Sequence, residues 1–251
     1  MNENIIRKLR IISKSKCGTF LNCRWGFKLS YIDGVEQSDN MFLRRGSDVH
    51  SFHEKFLKRV KIKDGQLIIP KFKAEEIVEN EKYKKNVVMH HIKRWEKCVK
   101  EKGRAQAHKY FLPIINEERI DLEHLELCGV PDVIARDLDG KAIAIEVKTG
   151  APNATKVKNY KEDLIWYKLI VEAKYPKYGS IDSGVIYFPE NNYTYRHKLT
   201  DADVIKLLKK ITKARNDIME CIRTGIWEPS PEKKKCDWCL MKSNCEFRAV
   251  K

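Results

Sequence analysis

Gly129-Val130-Pro131-Asp132, followed after a turn by Ile145-Glu146-Val147-Lys148, sets two carboxylates and a lysine on what reads as one β-hairpin. Asp139-Gly140 lies between two runs rich in Val, Ile and Ala, the pattern of two strands joined by a tight turn. A three-residue loop, Leu138-Asp139-Gly140 with Gly140 in the left-handed region, pairs Asp137 with Lys141 and sets Asp132 opposite Glu146. Alternation then puts Asp132, Glu146 and Lys148 on one face, and Val133, Ala135, Ile143, Ile145 and Val147 on the other. One face is expected to carry chemistry and the other core. Burying the acids is costly unless their charge is offset. Paired hard oxygen ligands suit Mg²⁺ or Mn²⁺, which keep several waters and accept phosphate oxygens. Lys148 is then placed to orient an attacking water or to stabilise charge developing on a phosphate. The plainer reading of the same residues is a surface hairpin with Glu146 and Lys148 as a solvated ion pair.

A second concentration of chemistry lies near the carboxyl end, where Cys236, Cys239 and Cys245 place three of the eight cysteines within ten residues. Met1 to Lys16 mixes charges with short apolar runs and offers neither an h-region nor a small-residue cleavage site. A cytoplasmic location and reduced thiols are therefore expected, and clustered thiols then point to a metal or cluster. Three thiolates leave a four-coordinate site incomplete, so a remote fourth ligand is implied, with Cys23 and Cys17 as the candidates. Thiolate chemistry alone admits either zinc or iron–sulfur, although a second C-x2-C pair for a zinc ribbon is missing. Cys98, Cys128 and Cys221 stand alone in apolar or helical settings and read as buried free thiols.

Two further stretches bear on the hairpin. In Gly46-Ser47-Asp48-Val49-His50, Ser47 can cap a helix running through about Val60, with Asp48 and His50 in its first turn and His53 one turn on. Asp163 and Tyr167 are four apart on an amphipathic helix from about Lys158 to Ala173, and so share a face. An acid at position 163 repels phosphate unless a metal or arginine intervenes, and equally suits the positive half of a helix.

Together these residues resemble the PD-(D/E)xK nuclease superfamily, with Pro131-Asp132 and Glu146-Val147-Lys148 in its motif positions. More narrowly, the chain from about Ser13 to Cys245 resembles the RecB/AddB-type branch that includes a CRISPR-associated exonuclease with an iron–sulfur cluster. The resemblance implies Asp132, Glu146, His50 and the Val147 backbone as metal site, with Lys148 and Tyr167 as catalytic partners. It further implies Cys23, Cys236, Cys239 and Cys245 as ligands of a [4Fe–4S] cluster, with zinc the lesser alternative. Arg24 stands where the family commonly has proline after the first cysteine, and Asp163 where it often has glutamine. The implied activity is exonucleolytic hydrolysis of single-stranded DNA or duplex ends by Mg²⁺ or Mn²⁺, with 5′→3′ polarity common in the family. Implied partners are DNA and a helicase or CRISPR adaptation protein. A noncatalytic nucleic-acid-binding or assembly module held by the cluster or by zinc is the alternative.

The net charge of +15 favours a polyanionic partner, and such binding weakens steeply with salt. Phe20, Trp25, Phe27 and Tyr31, interleaved with Arg24 and Lys28, could stack on single-stranded bases; their spacing equally suits the buried face of a helix. No G-x-x-x-x-G-K-[ST] loop occurs, and no run is long and apolar enough to span a membrane. The expected fold is α/β, a restriction-endonuclease-like core whose central mixed sheet is flanked by helices. A helical, Cys-rich module joining the termini completes it. Residues 1–60 and 225–251 form the cluster region, and 61–224 the nuclease core with a helical insertion at about 73–103, His50 reaching the core site. Helices are expected over Ser13–Tyr31, Ser47–Val60, Ala74–Lys102, Lys158–Ala173 and Asp201–Arg223. Strands are expected over Ala107–Ile115, Leu125–Arg136, Lys141–Lys148, Gly184–Pro189 and Thr194–Lys198. Gly225, Pro229 and Pro231 end the last long helix.

Overall fold

A computed structural model describes residues 3–38, 41–71 and 82–249. In chain order the helices are α1 (Glu3–Arg10), α2 (Lys14–Asn22), α3 (Arg24–Tyr31), α4 (Met41–Arg59), α5 (Lys82–Lys102), α6 (Arg104–Phe111), α7 (Ala154–Lys174), α8 (Asp201–Thr224) and α9 (Lys233–Asp237). The strands are β1 (Lys61–Lys63), β2 (Gln66–Ile68), β3 (Ile115–Asn116), β4 (Ile120–Leu122), β5 (Leu127–Gly129), β6 (Val133–Arg136), β7 (Ala142–Val147), β8 (Ser183–Phe188) and β9 (Tyr193–Lys198). Contacts divide the chain into two compact units, one of Met1–Met41, Asp121–Gly129 and Ile205–Lys251, the other of Phe42–Ile120 and Val130–Val204. The helix that carries His50 thus lies in the same unit as the central sheet.

The larger unit is built on a five-stranded mixed sheet in the order β3-β6-β7-β8-β9. All its neighbours are antiparallel except β7 and β8, whose parallel pairing needs the crossover that α7 supplies. The hairpin at its centre takes the expected register: Val133 faces Ile145 and Arg136 faces Ala142, and Asp137 N–H donates to the Lys141 carbonyl at 2.9 Å. Gly140, at φ +82°, closes the turn where an L side chain would be strained.

Both faces of this sheet are covered, which alters the expectation of one chemical and one core face. Val133, Ala135, Ile143, Val147 and Tyr187 pack on one side with Val49, Phe52 and Phe56 of α4, Val87 and Trp95 of α5, and Phe111 of α6. On the other side, which carries Glu146, α7 comes down so closely that a methyl group added at Gly184 would lie 2.8 Å from Leu164 Cδ1. Gly184 pairs with Ala144, and two such small residues let a helix sit flat on the strands. A crossover connection buries its own strands on both faces, and β7 is accordingly buried almost throughout.

Several boundaries differ from expectation. The segment Ala107–Ile115 is mostly helix, because Ala107 and Phe111, four apart, turn to the same core; only Ile115–Asn116 is strand. The stretch Leu125–Arg136 is two strands in two sheets, separated at Val130–Asp132. The α4 helix begins at Met41, so Ser47 and His50 lie within it rather than at its cap; its buried stripe, Val49, Phe52, Phe56 and Leu57, begins only after Ser47. The Ser13–Tyr31 helix is two, because Cys23 is extended (φ −162°) and caps both, its sulfur accepting the Gly26 amide at 3.5 Å. Of the expected Ala74–Lys102 helix, residues 74–81 lie outside those described. Among the described residues no helix is long and apolar enough to cross a membrane.

In the smaller unit, Leu207, Ile211, Ala214, Ile218 and Cys221 line the buried stripe of α8, which Gly225 ends at φ +74°. Arg215 donates to the carbonyls of Leu125 at 2.8 Å and Glu126 at 3.1 Å. Phe20 and Phe27 are core residues, Phe27 stacking on Trp227 with ring centroids 5.9 Å apart, so two of the four aromatics read as stacking candidates are buried.

Burial in the larger unit also fixes a pH response. His53 Nε2 and His91 Nε2 are 3.2 Å apart, both side chains inside, and burial followed by neighbouring charge lowers the His53 pKa to about 3. Below about pH 6.5 the unfolded chain takes up a proton that the folded imidazole refuses, so stability falls as pH drops towards 3. His53→Gln keeps an N–H donor near Nε2 but does not titrate. Its unfolding free energy, measured between pH 6.5 and 4, is expected to fall less steeply than that of the wild type by about 1.4 kcal/mol per pH unit.

Candidate active site

Strand β6 starts one residue after Asp132, and β7 ends one residue before Lys148, so the ends of the two central strands bring the motif residues together. Asp132 is 6% exposed and Glu146 3%. Asp132 is held by two donors: the Val147 amide gives its N–H to Oδ2 at 2.7 Å, and the Tyr167 hydroxyl donates to Oδ1 at 3.2 Å. His50, projecting from α4, places Nδ1 3.5 Å from Asp132 Oδ2 and 3.5 Å from Glu117 Oε1. One ligand atom from each of His50, Glu117 and Asp132 lies within 4.8 Å of the others. Just past the end of β7, Lys148 Nζ contacts Glu146 Oε1, lies 3.8 Å from Asp163 Oδ1 and sits 4.8 Å over the Tyr160 ring.

Glu117 was invisible to sequence reasoning. It follows β3 directly in the left-handed region (φ 52°), and its amide donates to the carbonyls of Pro131 at 3.2 Å and Asp132 at 3.1 Å. Since Asn116 pairs with Val133, Glu117 falls opposite Asp132. The signal was an acid closing a short apolar strand, hidden because the preceding helix read as part of that strand. His53, by contrast, points at His91 and away from the carboxylates that His50 meets. Val147 reaches Asp132 through its amide N–H.

The electrostatics are those of a site short of positive charge. Burial, and then Glu146, push the Asp132 carboxyl well above the usual carboxylate range; burial also raises Glu146, opposed by Lys148. Burial disfavours charge on His50, but the Glu117 hydrogen bond and the Asp132 and Glu146 charges outweigh it and lift the pKa to about 8. Lys148 is likewise raised against its own burial by Glu146 and Asp163, and so stays protonated. Burial and the carboxylates raise Tyr167, which keeps its proton and remains a donor. Four acids, Glu117, Asp132, Glu146 and Asp163, face two cations here, and Glu146 Oε2 finds no hydrogen-bond partner among the described residues. An acid excess with an orphaned carboxylate oxygen fits a divalent cation.

A sequence model of the PD-(D/E)XK nuclease superfamily matches residues 11–246. The chain belongs to that superfamily. Its mixed central sheet flanked by helices is consistent with the PD-(D/E)XK core. Among solved structures, the chain is similar to a protein from Eubacterium rectale named "putative exonuclease", with TM-score 0.52 and 15% identity over 100% of this chain and 94% of that one. That similarity bears on the fold of this superfamily member alone. The crystal structure of SSO0001 aligns over 80% of this chain and 96% of that one at 16% identity, with a TM-score of 0.32. No curated protein matches the sequence.

In the smaller unit of this PD-(D/E)XK protein, Cys23, Cys236, Cys239 and Cys245 line one cleft with Gly26, Pro229 and Ser230. The Cys23 sulfur accepts the Ser230 amide as well as that of Gly26, each at 3.5 Å. A Cβ at Gly26 would lie 3.8 Å from Cys239 Sγ and 3.9 Å from Cys23 Sγ. All four are free thiols, while Cys17 is buried and does not line this cleft.

Proposed function

We propose that this chain is a metal-dependent DNA exonuclease acting on single strands or duplex ends with 5′→3′ polarity. The observation that carries the proposal is the convergence of His50, Glu117 and Asp132 within 4.8 Å, beside a Glu146–Lys148 contact on the neighbouring strand. Asp132, Glu117, Glu146, His50 and the Val147 carbonyl would hold Mg²⁺ or Mn²⁺. The ion, when bound, supplies charge neutralisation for the phosphate and a water more easily deprotonated. Lys148, protonated, acts on the charge that develops on the phosphate rather than as a proton acceptor. Tyr167 fixes the Asp132 carboxylate by its hydrogen bond, and Asp163 shares Lys148 with Glu146. Any strand opening would come from a partner such as a helicase, and end processing in recombination, CRISPR adaptation and a viral or mobile-element role all fit the same site.

We assign Cys23, Cys236, Cys239 and Cys245 to a [4Fe–4S] cluster that ties the amino-terminal helices to the carboxyl end of the smaller unit. Two amides already point at the Cys23 sulfur, as suits a thiolate ligand.

Polarity is read from single-stranded DNA labelled at either end. With Mn²⁺, a 5′ label is expected to be released at once as mono- or short oligonucleotides, while a 3′ label shows a ladder of shortening strands. Equal cutting of circular and linear single strands would contradict exonuclease action.

A further inference from the structure

The sheet extends the site outwards on the face that α7 covers. By register, Glu146 of β7 stands beside Ile186 of β8, which faces Tyr195 of β9; Lys148, one pair beyond Val147–Tyr187, lines up with Phe188, which faces Tyr193. Two rows of side chains therefore run from the motif residues to the edge strand. The Lys148 row is aromatic all the way. Its ammonium lies 4.8 Å over the Tyr160 ring, Tyr160 and Phe188 have centroids 6.3 Å apart, and Phe188 and Tyr193 6.1 Å apart. Phe188 is fully buried between Tyr160 and Tyr193, whereas Tyr193 and Tyr195 are 39% and 42% exposed.

Tyr193 and Tyr195, two residues apart on the edge strand β9, present two partly exposed rings on one side of it. Tyr193 is also held in place. It follows the turn Pro189–Asn191, whose Glu190 accepts the Gly150 amide and pairs with Arg45 at 2.5 Å, while Asn86 donates to the Pro189 carbonyl at 2.7 Å. Tyr195 stands 4.8 Å from the His197 ring, itself anchored on the Val157 carbonyl of α7 at 2.9 Å. Lys156 and Lys158 stand on either side of Val157 in a helix whose first turn carries no acid, and the Val157 carbonyl is the one that anchors His197 beside Tyr195, so the charge of that turn suits a phosphate backbone.

We infer that Tyr193 and Tyr195 are a base-stacking platform for single-stranded DNA, holding the nucleotides next to the bond to be cut. The inference rests on the nuclease reading of the Glu146–Lys148 site and names its substrate contacts. Adjacent strands are about 4.8 Å apart, so the platform lies about 10 Å from Lys148 across the sheet. That is about three nucleotide steps at the 3.4 Å duplex rise, and fewer for an extended strand. Stacking accepts any base, because every base has a π face, so the platform favours unpaired over paired strands without reading sequence.

The test uses the full chain in a Glu146→Gln background with Mn²⁺, and reads binding of fluorescent oligothymidine by anisotropy at fixed salt. Tyr193→Ala/Tyr195→Ala is expected to weaken binding at least about tenfold, and Tyr193→Phe/Tyr195→Phe to restore it, with all three proteins melting alike. An oligonucleotide of abasic spacers should bind the parent and the alanine pair equally weakly. Undiminished binding by the alanine pair, or the same loss for abasic and intact strands, would overturn the platform. Continued DNA cleavage in the Glu146→Gln background would instead speak against the active-site assignment.

Discussion

Lys148→Ala is expected to lower the DNA cleavage rate about 10³-fold or more while leaving Mn²⁺ binding in place. Its ammonium touches Glu146, lies 3.8 Å from Asp163 and is kept protonated by both, so its service is a fixed positive charge beside the reacting phosphate. Losing one preorganised electrostatic contact of this kind costs about 10²–10³ in rate, and more where the same group also orients the attacking water. The loss belongs in kcat, because the contact strengthens only as charge develops. The metal ligands differ in this respect. With Lys148 gone, Glu146 and Asp163 lose their counter-charge, so the metal-free variant should melt below the wild type and regain stability on adding Mn²⁺. Wild-type kcat in Lys148→Ala, or a variant that no longer responds to Mn²⁺, would contradict this division of roles.

Cys236→Ser is the second large effect. The side chain is only half-buried, and exchanging sulfur for oxygen there would cost little if the thiol merely packed. If four thiolates hold a cluster, however, the substitution removes one ligand and with it a folding contribution that for structural metal sites reaches about 10 kcal/mol. Anaerobically purified wild-type protein is expected to be brown and to contain iron and acid-labile sulfide; the serine variant should be colourless and melt well below it. Colourless wild-type protein with stoichiometric zinc would overturn the cluster, and equal melting of the two proteins would overturn any metal group at these cysteines.

The central hairpin was legible because two local signals agreed. Asp139-Gly140 fixes the turn, and alternation fixes which side chains share a face, so the pairing of Val133 with Ile145 follows without tertiary knowledge. His50 could be picked as a residue, but its helix could not be started correctly, since a serine and an acid inside a helix look like a cap when the buried stripe begins only after them. Glu117 was lost to length. The eight residues of α6 are too few for a helical period to separate from a strand, and the two-residue β3 is fixed only by pairing with β6. The covering of the Glu146 face by α7 was likewise beyond reach, because it depends on how close Leu164 comes to Gly184. Cys23 as a break between two helices is of the same kind: its extended backbone is tied to caps on both sides, which no periodicity reports.

The measurement that bears most directly on the nuclease site is cleavage of end-labelled single-stranded DNA by the wild type and Glu146→Gln, each with Mn²⁺ and with chelator. Glutamine keeps the shape of Glu146 but removes the charge that meets Lys148 and the carboxylate oxygen left without a partner. Cleavage is expected from the wild type with Mn²⁺ alone. Cutting by Glu146→Gln at the wild-type rate, or by the wild type with metal removed, would contradict a metal-dependent active site built on Asp132, Glu146 and Lys148.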